Sequence, residues 1–467
     1  MFGLETHLAI ILITCLLAAV VFEFINGFHD TANAVATVIY TNSLKPQFAV
    51  VWSGIWNAIG VFAGGIAVAM GITHLLPLEL LLNADVYQNI ALIASLLLTA
   101  IIWNFATWFV GIPSSSSHTL IGSIIGVGMA YSLFVDQSGQ VFINWAKAKE
   151  IGLSLFLSPL LGFSLAILLM FIMRQSIKAK FIFKAPNSNN PPPFWIRLIL
   201  LLTCTGVSFS HGSNDGQKGV GLVMLILISI VPGYFTLDLT RKPYELKEHI
   251  GQFNAIVSKI DTNELVATEQ LELKKIKNEL AQFEMNIQSI QTFDQMSNAQ
   301  KFEVRSDLVK IGQGVQSLIK SKNLNLSIIQ KEELLKETTK IKSITEYAPN
   351  WVILMVSLSL GLGTLVGWKR IVTTIGEKIG KQHLSYAQGA SAELVAASTI
   401  GFSTWLGLPV STTHVLSSGI AGSMVASKGV KNLQPKTIKM IALAWILTLP
   451  VSIVLSGLLF LLFRAII

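Results

Sequence analysis

Long runs of apolar residues alternate with short polar stretches along most of the chain, and these runs form two sets of five. Most of the runs approach the roughly 20 residues that an α-helix needs to cross a bilayer. We therefore expect an all-α polytopic membrane protein with about 10–12 membrane helices, some of them broken helices or helical hairpins. The first set comprises Leu8–Ile25 with a short apolar piece that ends near Tyr40, then Phe48–Ile72, Ile90–Val110, Thr119–Phe134 and Gly152–Met173; the second comprises Leu198–Ser210 with Val220–Val231, then Trp351–Trp368, Tyr386–Leu406, Val415–Ala426 and Ile441–Phe463.

A polar stretch interrupts the second set between residues 236 and 345. Its apolar residues recur at intervals of three and four, which is the periodicity of an amphipathic helix. We expect a helical hairpin or small bundle here. The chain then divides into a first membrane repeat (1–174), a basic linker (175–197), the start of a second repeat (198–235), the polar helical insert (236–345) and the rest of the second repeat (346–467). The periodic residues are Ile276, Leu280, Phe283, Ile287 and Ile290, followed by Val304, Leu308, Ile311, Val315 and Leu318.

Two motifs occur once in each set of segments. A Gly-x-x-Asp motif ends at Asp30 and again 185 residues later at Asp215, and a Pro-x-Ser-x-x-His motif ends at His118 and 296 residues later at His414. The difference between these spacings, 111 residues, nearly equals the 110 residues of the polar insert. Removing the insert therefore superimposes the halves. Because five crossings is an odd number, we expect the second half to be inverted relative to the first.

The composition agrees with a membrane protein, since 52% of the residues are hydrophobic, 13% are charged and the mean hydropathy is +0.61. The polar insert holds 16 of the 34 basic and 15 of the 26 acidic residues, so the basic excess lies in the membrane part. With the N-terminus outside, 14 basic residues fall in inside loops and three in outside loops. We expect both termini and the insert on the outside, and Leu8–Ile25 as a retained segment rather than a signal peptide.

Each Pro-x-Ser-x-x-His motif places a proline and a row of hydroxyls directly before a short apolar segment. A helix start has N–H groups without intrahelical partners and a partial positive charge, so it favours an anion. Repetition of such a motif in two membrane repeats indicates a transporter site. The candidate anion-binding hydroxyls are Ser114, Ser115, Ser116, Ser117 and Thr119 in the first copy, and Ser411, Thr412 and Thr413 in the second.

Asp30 and Asp215 are the charges most in need of a functional explanation. A carboxylate at membrane depth costs about 2.5–3.5 kcal/mol on insertion scales. Beside two anion-favouring helix starts, the carboxylates repel an incoming anion unless a cation travels with it or a carboxylate is protonated. This conflict favours a symporter. Glu23, seven residues before Asp30, and the adjacent His29 are further candidates for handling the coupling ion.

Asn33 and Lys218 occupy equivalent positions in the two Gly-x-x-Asp stretches, but their chemistry differs. An asparagine oxygen suits a small cation, whereas a lysine supplies a tethered positive charge. We hypothesise that Lys218 replaces a sodium ion in one half or neutralises Asp215, which favours proton coupling. The candidate substrate-binding set is completed by four residues of these stretches: Asn33, Asn214, Gln217 and Lys218.

These motifs resemble those of the inorganic phosphate transporter (PiT) family. The resemblance rests on Gly27-Phe-His-Asp-Thr-Ala-Asn-Ala, Ser210-His-Gly-Ser-Asn-Asp-Gly-Gln-Lys and the two Pro-x-Ser-x-x-His motifs, and it covers essentially all of the membrane part. Within the family, the chain most resembles the bacterial low-affinity, proton-coupled phosphate transporters of the inner membrane. The resemblance implies an inverted-repeat fold that holds phosphate between its halves. Sodium-coupled members resemble Gly-Ala-Asn-Asp-Val-Ala-Asn, and His29 and Lys218 depart from that pattern.

The sequence and the resemblance together predict a secondary transporter that imports phosphate with protons. The resemblance also allows a neutral divalent metal–hydrogenphosphate complex as the transported species, and it leaves sulfate symport and sodium-coupled phosphate symport as alternatives. The expected partners are phosphate, protons or sodium, a co-transported divalent ion such as Mg²⁺, membrane lipid, and a second copy if the chain is a homodimer. We expect no cofactor, no fixed metal and no nucleic acid.

Two other classes of protein explain part of the pattern. An intramembrane metal hydrolase also needs buried His and Asp ligands, but here the polar residues fall in two equivalent sets, without a His-Glu-x-x-His cluster. An anion channel needs the same hydroxyls. It only equilibrates its ion, so uphill uptake would distinguish a symporter from a channel. We therefore expect a transporter and not an enzyme.

Overall fold

All regular elements in the described residues are helical. A computed structural model describes residues 2–76, 85–134, 143–186, 191–260, 265–288, 290–320 and 327–466, excluding the side chains of residues 31–33, 313, 316, 317, 320 and 328. In chain order the α-helices are α1 (Thr6–Tyr40), α2 (Pro46–Ala63), α3 (Ala67–Thr73), α4 (Val86–Val110), α5 (Ser116–Ser132), α6 (Trp145–Ser176), α7 (Phe194–Ile230), α8 (Pro232–Phe235), α9 (Pro243–Val257), α10 (Ala267–Ile287), α11 (Asn298–Lys320), α12 (Ile328–Thr345), α13 (Asn350–Thr364), α14 (Lys369–Thr373), α15 (Tyr386–Trp405), α16 (Thr412–Lys428) and α17 (Pro435–Ile466).

The chain forms two compact units. The membrane unit comprises Thr6–Ile226 with Ala348–Ile467, and the polar unit comprises Met1–Glu5 with Leu227–Tyr347. All ten apolar segments expected from the sequence are helical over most of their length. Among the described residues, five helices are long and apolar enough to cross a bilayer, and two bent pairs raise this number to seven.

The other three segments, α5, α15 and α16, differ from ordinary spanning helices. Helices α5 and α16 have 17 residues each, which at 1.5 Å per residue gives about 25 Å, less than a typical hydrocarbon core. Thirteen of the 17 residues are buried in each of α5 and α16. Helix α15 is less apolar and contains the buried Glu393. Most of the surface of α5 and α16 is covered by protein, so these two helices do not need long apolar surfaces.

The helices that carry the acidic motifs are continuous, which corrects the expectation of separate apolar pieces. Helix α1 runs without a break through Asp30, and α7 runs through Asp215. The bends lie elsewhere: α2 and α3 meet at 73°, and α13 meets the α14 segment, Lys369–Lys378, which begins with α14, at 55°. The hydroxyl helices also begin earlier than expected, at Ser116 and Thr412 rather than at Thr119 and Val415. Part of each hydroxyl row therefore lies in the first helical turn.

Reciprocal backbone contacts relate the two halves of the membrane unit. A Cβ added at Gly27 of α1 would overlap the carbonyl oxygen of Leu360 in α13, and one added at Gly212 of α7 would overlap that of Asn57 in α2. The return contacts match, since Gly363 meets Phe24 and Gly60 meets Phe209. Each half thus packs its acid-bearing helix on the second helix of the other half.

The same exchange links the hydroxyl helices to the last helices of the repeats. Gly126 of α5 lies against the backbone of Ile453 in α17, and Gly422 of α16 lies against that of Phe163 in α6. Gly111 and Gly407, which end α4 and begin the turn after α15, have φ of 76° and 70°, a left-handed conformation that glycine adopts without strain. Such exchanged, matched contacts are what a twofold relation produces, and with five segments per half they form the inverted repeat.

The polar unit is a bundle around its own apolar core. Helices α9, α10, α11 and α12 contribute this core, and the expected periodic residues of α10 and α11 are buried in it, with Ile290 partly buried at its edge. Arg305 lies inside the bundle, where its guanidinium donates a hydrogen bond of 2.7 Å to the carbonyl oxygen of Thr236. Burial lowers the pKa of Arg305 to about 10. The expectation of a helical insert is confirmed.

Candidate functional site

The two acids and the two hydroxyl motifs converge on one buried cluster. Asp30 is 2% exposed and Asp215 is 0% exposed. The Ser116 hydroxyl lies between them, 2.9 Å from Asp30 Oδ2 and 3.4 Å from Asp215 Oδ2. Thr413 donates to Asp30 Oδ1 at 2.5 Å, and Thr412 lies 3.4 Å from Asp215 Oδ2. Each hydroxyl helix therefore contacts a carboxylate of the opposite half, and Ser116 joins the two.

Lys218 adds a third charge to the cluster. Its ammonium donates to Asp215 Oδ1 at 2.6 Å and to the carbonyl oxygen of Val410 at 2.8 Å, and it also contacts the hydroxyl of Ser117. Lys218 is 2% exposed, so it does not extend to the membrane interface. Its position follows from the helix, because residues at i and i+3 share a face.

Two histidines lie beside the acids. His29 Nδ1 is 3.0 Å from Asp30 Oδ1, and His29 Nε2 is 3.3 Å from the Thr107 hydroxyl. His211 Nε2 lies 3.6 Å from Asp215 Oδ2, while its Nδ1 is 3.0 Å from Asn57 Oδ1. One ligand atom from each of Asp30, His211 and Asp215 falls within 4.8 Å of the others. Carboxylate oxygens and imidazole are a donor set that fits a divalent metal ion.

The remaining motif hydroxyls support the cluster from within the protein. Ser115 and Ser411 are N-caps that accept from the backbone N–H of the histidine three residues later. Ser114 Oγ is 3.4 Å from the Thr448 hydroxyl, and Thr119 donates to the carbonyl of its own helix at 3.0 Å. The contacts of these side chains are with their own helix ends or with Thr448 rather than with the carboxylates.

Asn214 and Gln217 hold neighbouring backbone rather than contacting the carboxylates. Asn214 donates to the Thr404 hydroxyl at 2.9 Å and accepts from the N–H of Val410 at 3.2 Å. Gln217 accepts from the N–H of Val68 at 2.7 Å and contacts the carbonyl of Gly64. The two amides fix the turn before α16 and the bend between α2 and α3.

Glu23 and Asn33, the other members of the predicted set, lie on α1. Glu23 is 1% exposed, and Asn26 donates to its Oε2 at 3.4 Å. Its Oε1 has no hydrogen-bond partner among the described residues. The backbone of Asn33 is helical, whereas its side chain lies outside the described part of the structure.

Three buried polar residues that contact other helices were not predicted as functional. Asn57 orients His211, and Thr107 contacts His29. Glu393, fully buried in α15, accepts from Thr203 at 2.5 Å and contacts Thr37. The sequence contained a signal for Glu393, because an acidic residue within an apolar segment is a functional candidate. Asn57 had a weaker signal, as a polar side chain in an apolar helix.

His118 and His414 face away from the acids. Their rings lie 4.6 Å apart, and His414 stacks on Trp445 at 4.0 Å. Both line an apolar cavity of about 700 Å³ between α6 and α17. The two histidines therefore contact each other rather than extend a relay from the carboxylates.

The arrangement defines a class of protein. Apolar helices in two inverted halves, with a buried polar site between them, are the architecture of a secondary transporter. The hydroxyls here supply donors for an anion and the carboxylates supply acceptors for a cation.

Comparisons with known proteins identify the family. Residues 26–456 match the model of the Phosphate transporter family, and the chain belongs to that family. It is 43% identical to the "Low-affinity inorganic phosphate transporter" of Buchnera aphidicola subsp. Acyrthosiphon pisum, over 94% of each chain. It is 40% identical to the "Low-affinity inorganic phosphate transporter PitA" of Escherichia coli K12, over 97% of each chain.

More distant matches agree. A "Probable low-affinity inorganic phosphate transporter" of Bacillus subtilis is 28% identical over 96% of this chain and 95% of its own. The solved structure "The sodium-dependent phosphate transporter" has a TM-score of 0.56 and 17% identity, covering 98% of this chain and all of its own. That likeness shows the fold. The chain is therefore a membrane phosphate transporter and not an enzyme.

Proposed function

We propose that this protein imports inorganic phosphate by symport with protons across a bacterial inner membrane, with both termini outside. The observation that carries the proposal is the Ser116 hydroxyl between Asp30 and Asp215, with Thr412 and Thr413 on the same carboxylates. Hydroxyl donors and carboxylate acceptors of both halves meet there in a buried site. Phosphate enters where the hydroxyls are already directed at negatively charged oxygens.

The charge of the cluster supports cation coupling. Asp30 and Asp215 carry two negative charges, and Lys218 at 2.6 Å balances one of them. A phosphate monoanion raises the uncompensated charge to two in a site from which water is largely excluded, and such a charge is costly to bury. Protons on the carboxylates or on His29 and His211 remove it. Coupled entry of protons and phosphate follows from this requirement.

The contacts of Lys218 support protons over sodium in the second half. Its ammonium is surrounded by a carboxylate oxygen of Asp215, a hydroxyl oxygen of Ser117 and the carbonyl oxygen of Val410. Hard cations in proteins take the same kinds of oxygen ligand. We infer that the tethered ammonium stands where a small cation would otherwise bind.

The hydroxyls can exchange hydrogen-bond acceptors between the empty and the phosphate-loaded states. Ser116 has a single proton and lies near two carboxylates, so it can donate to only one of them at a time. When a carboxylate is protonated, its hydroxyl partner is released and can donate to a phosphate oxygen. Proton binding and phosphate binding thereby use the same donors, and rocking of the two halves would then expose the pocket to the other side.

A metal–hydrogenphosphate complex is a second candidate for the transported species. It is favoured by the Asp30, His211 and Asp215 group, whose ligand atoms lie within 4.8 Å of one another. A divalent ion carried with hydrogenphosphate would satisfy both carboxylates without added protons. In this case the metal is cargo, held while the phosphate oxygens contact the hydroxyls.

Radiolabelled phosphate uptake into proteoliposomes tests the proposal. The pH, sodium and magnesium gradients are imposed one at a time, with excess sulfate or arsenate as competitors. We expect uphill uptake with an inward proton gradient, none driven by sodium alone, and competition by arsenate rather than sulfate. Stimulation by magnesium would assign the metal complex. Uptake that only equilibrates would identify a channel, and uptake driven by sodium alone would refute proton coupling.

A further inference from the structure

A pocket with a positive lining lies at the bend between α13 and α14. It has a volume of about 600 Å³, and it is separate from the carboxylate cluster. Three cations line it, together with two tryptophans that belong to α4 and to the bend. The residues that carry the argument are Lys369, Arg370, Lys378, Trp108, Trp368 and Gly111.

The three cationic side chains of the pocket have charges and N–H donors that remain available to a ligand. Lys369 and Lys378 are exposed, and neither forms an ion pair among the described residues. Arg370 donates to the carbonyl oxygen of Phe109 at 2.6 Å, and its guanidinium lies over the Trp108 ring at 5.2 Å. A guanidinium has five N–H donors, so several remain available to an anion. The stacking holds Arg370 in a defined position before any ligand arrives.

No carboxylate belongs to the described lining of the pocket. The nearest acid in sequence, Glu377, accepts a hydrogen bond from the Tyr40 hydroxyl at 2.8 Å. The three positive charges are therefore not neutralised within the pocket. A tetrahedral anion with several oxygens is the ligand that a cluster of Lys and Arg recognises best.

The floor of the pocket is the turn that leads to the transport site. Thr374 donates to the carbonyl oxygen of Gly111 at 2.8 Å, and Trp108 donates to that of Gly367 at 2.8 Å. Gly111 precedes Ser116, the residue between the two carboxylates, by five positions. A ligand held by α14 is thus in position to stabilise the α4–α5 turn.

The inverted repeat provides an internal comparison. Gly407 packs against Ala67 at the start of α3, as Gly111 packs against Arg370 and Thr374 of the α14 segment. At the counterpart of the basic pocket, the chain has Ile66-Ala-Val at the bend. The cation near that place, Lys147, is paired with Glu150 at 3.0 Å. The positive pocket is therefore specific to one end of the membrane unit and is not required by the fold.

We propose that this pocket binds a phosphate group, supplied either by an anionic phospholipid headgroup or by free inorganic phosphate. The inference goes beyond the transport function, because the site lies outside the carboxylate cluster. Trp108 and Trp368 suit the interfacial region of a bilayer, where tryptophan is enriched. Basic pockets between membrane helices bind anionic headgroups through the same charge-assisted hydrogen bonds.

Lysine footprinting of the full-length protein tests the proposal. The protein is placed in nanodiscs of phosphatidylcholine, and the acetylation rates of Lys369 and Lys378 are measured by mass spectrometry. One arm adds inorganic phosphate, a second includes phosphatidylglycerol in the disc, and a third adds sodium chloride at matched ionic strength. At ligand concentrations ten times the Kd, modification slows roughly tenfold, since the unliganded fraction falls as 1/(1 + [L]/Kd). Lys431, outside the pocket, is the internal control.

The arms separate the two sources of the phosphate group. Protection by phosphatidylglycerol alone assigns the headgroup, protection by inorganic phosphate alone assigns the free ion, and protection by both assigns a site that accepts either. Equal protection by chloride, equal protection of Lys431, or no protection in any arm overturns the proposal. The phosphate arm is repeated in the Asp30→Asn variant, where protection must persist, because the pocket is independent of the transport site.

A second measurement uses variants. The double substitution Lys369→Gln with Lys378→Gln should reduce the retention of phosphatidylglycerol in native mass spectrometry several-fold if the headgroup is the ligand. If free phosphate is the ligand, the substitution should remove the protection that inorganic phosphate gives Arg370 against an arginine-selective reagent such as phenylglyoxal. The matched control is Lys431→Gln with Lys436→Gln, which removes the same charge elsewhere. If the two double variants behave equally toward the ligand that the footprinting assigned, a specific site is contradicted.

Discussion

Replacement of Lys218 by asparagine tests the link between this side chain and the coupling ion. The ammonium contacts Asp215 Oδ1 at 2.6 Å, the Val410 carbonyl at 2.8 Å and the Ser117 hydroxyl. The substitution Lys218→Asn removes the charge, shortens the side chain and restores the residue type found at Asn33. It leaves three oxygens around a vacated cation position.

The magnitude follows from burial. Lys218 and Asp215 are both nearly inaccessible to solvent, and removal of one partner of such a pair costs about 3–5 kcal/mol because the other charge stays buried and uncompensated. At about 1.4 kcal/mol for each factor of ten, the ratio of folded to unfolded variant should fall by roughly 100-fold or more in sodium-free buffer, and phosphate uptake should fall with it. Sodium should restore uptake by occupying the vacated position.

The assay is proton-driven and sodium-driven uptake of radiolabelled phosphate by the variant in proteoliposomes, with thermal stability measured in parallel. We expect sodium to raise both the uptake rate and the Tm of Lys218→Asn but not of the wild type. The control is Lys218→Met, which has similar length but no oxygen, and which sodium should not rescue. If Lys218→Asn retains wild-type proton dependence and ignores sodium, the assignment of Lys218 as a cation substitute is wrong.

Three further predictions concern the site, the helix packing and the polar unit. Substitution Ser116→Ala should raise the KM for phosphate by about 10- to 100-fold, through loss of a hydrogen bond to a charged group, whereas Ser123→Ala, in the same helix but bonded within it, should leave KM unchanged. Substitution Gly212→Ala should lower the Tm and the folded yield, because the added Cβ overlaps the backbone of α2. In the control Gly251→Ala the added Cβ meets nothing within 4 Å, and this variant should stabilise α9 by about 1 kcal/mol. An unchanged Tm for Gly212→Ala would contradict the close packing. Burial raises the pKa of Asp307 above 3.8, so ionisation of this carboxyl destabilises the polar unit as the pH rises past that value. The substitution Asp307→Asn should therefore increase amide hydrogen-exchange protection of the polar unit at pH 7, and this gain should disappear below pH 3.8. A gain that persists at low pH would contradict this origin.

Hydropathy predicted all ten helical segments because burial in lipid or protein requires apolar surface at every turn. The same signal failed at the two acid-bearing stretches. The polar residues around Asp30 and Asp215 were interpreted as breaks between separate apolar segments, yet α1 and α7 continue through them. Their polar side chains find partners on other helices, such as Ser116 and Thr413, and those partners are distant in sequence. A local hydropathy pattern cannot show that a polar side chain is hydrogen-bonded to a residue far away in the sequence.

The predicted site residues of α7 have different roles according to the face of the helix on which they lie. Asp215 and Lys218 are three residues apart and meet in the cluster, while Asn214, about 100° around the helix from Asp215, contacts the turn before α16. Motif membership predicted the region correctly but did not distinguish these roles. Asn57 was missed because its importance arises from α2 packing on α7 of the other half, which no spacing within one repeat reveals.

The interlocked glycines have a consequence for biosynthesis. Since α1 packs on α13 and α7 packs on α2, neither half completes its own close-packed surface until the other has been translated and inserted. Early helices must wait in the bilayer, with Asp30 lacking its Thr413 partner, while nearly the entire chain leaves the ribosome. Separately expressed halves should therefore be short-lived alone and recover when produced together, so assembly is itself a late, cooperative event.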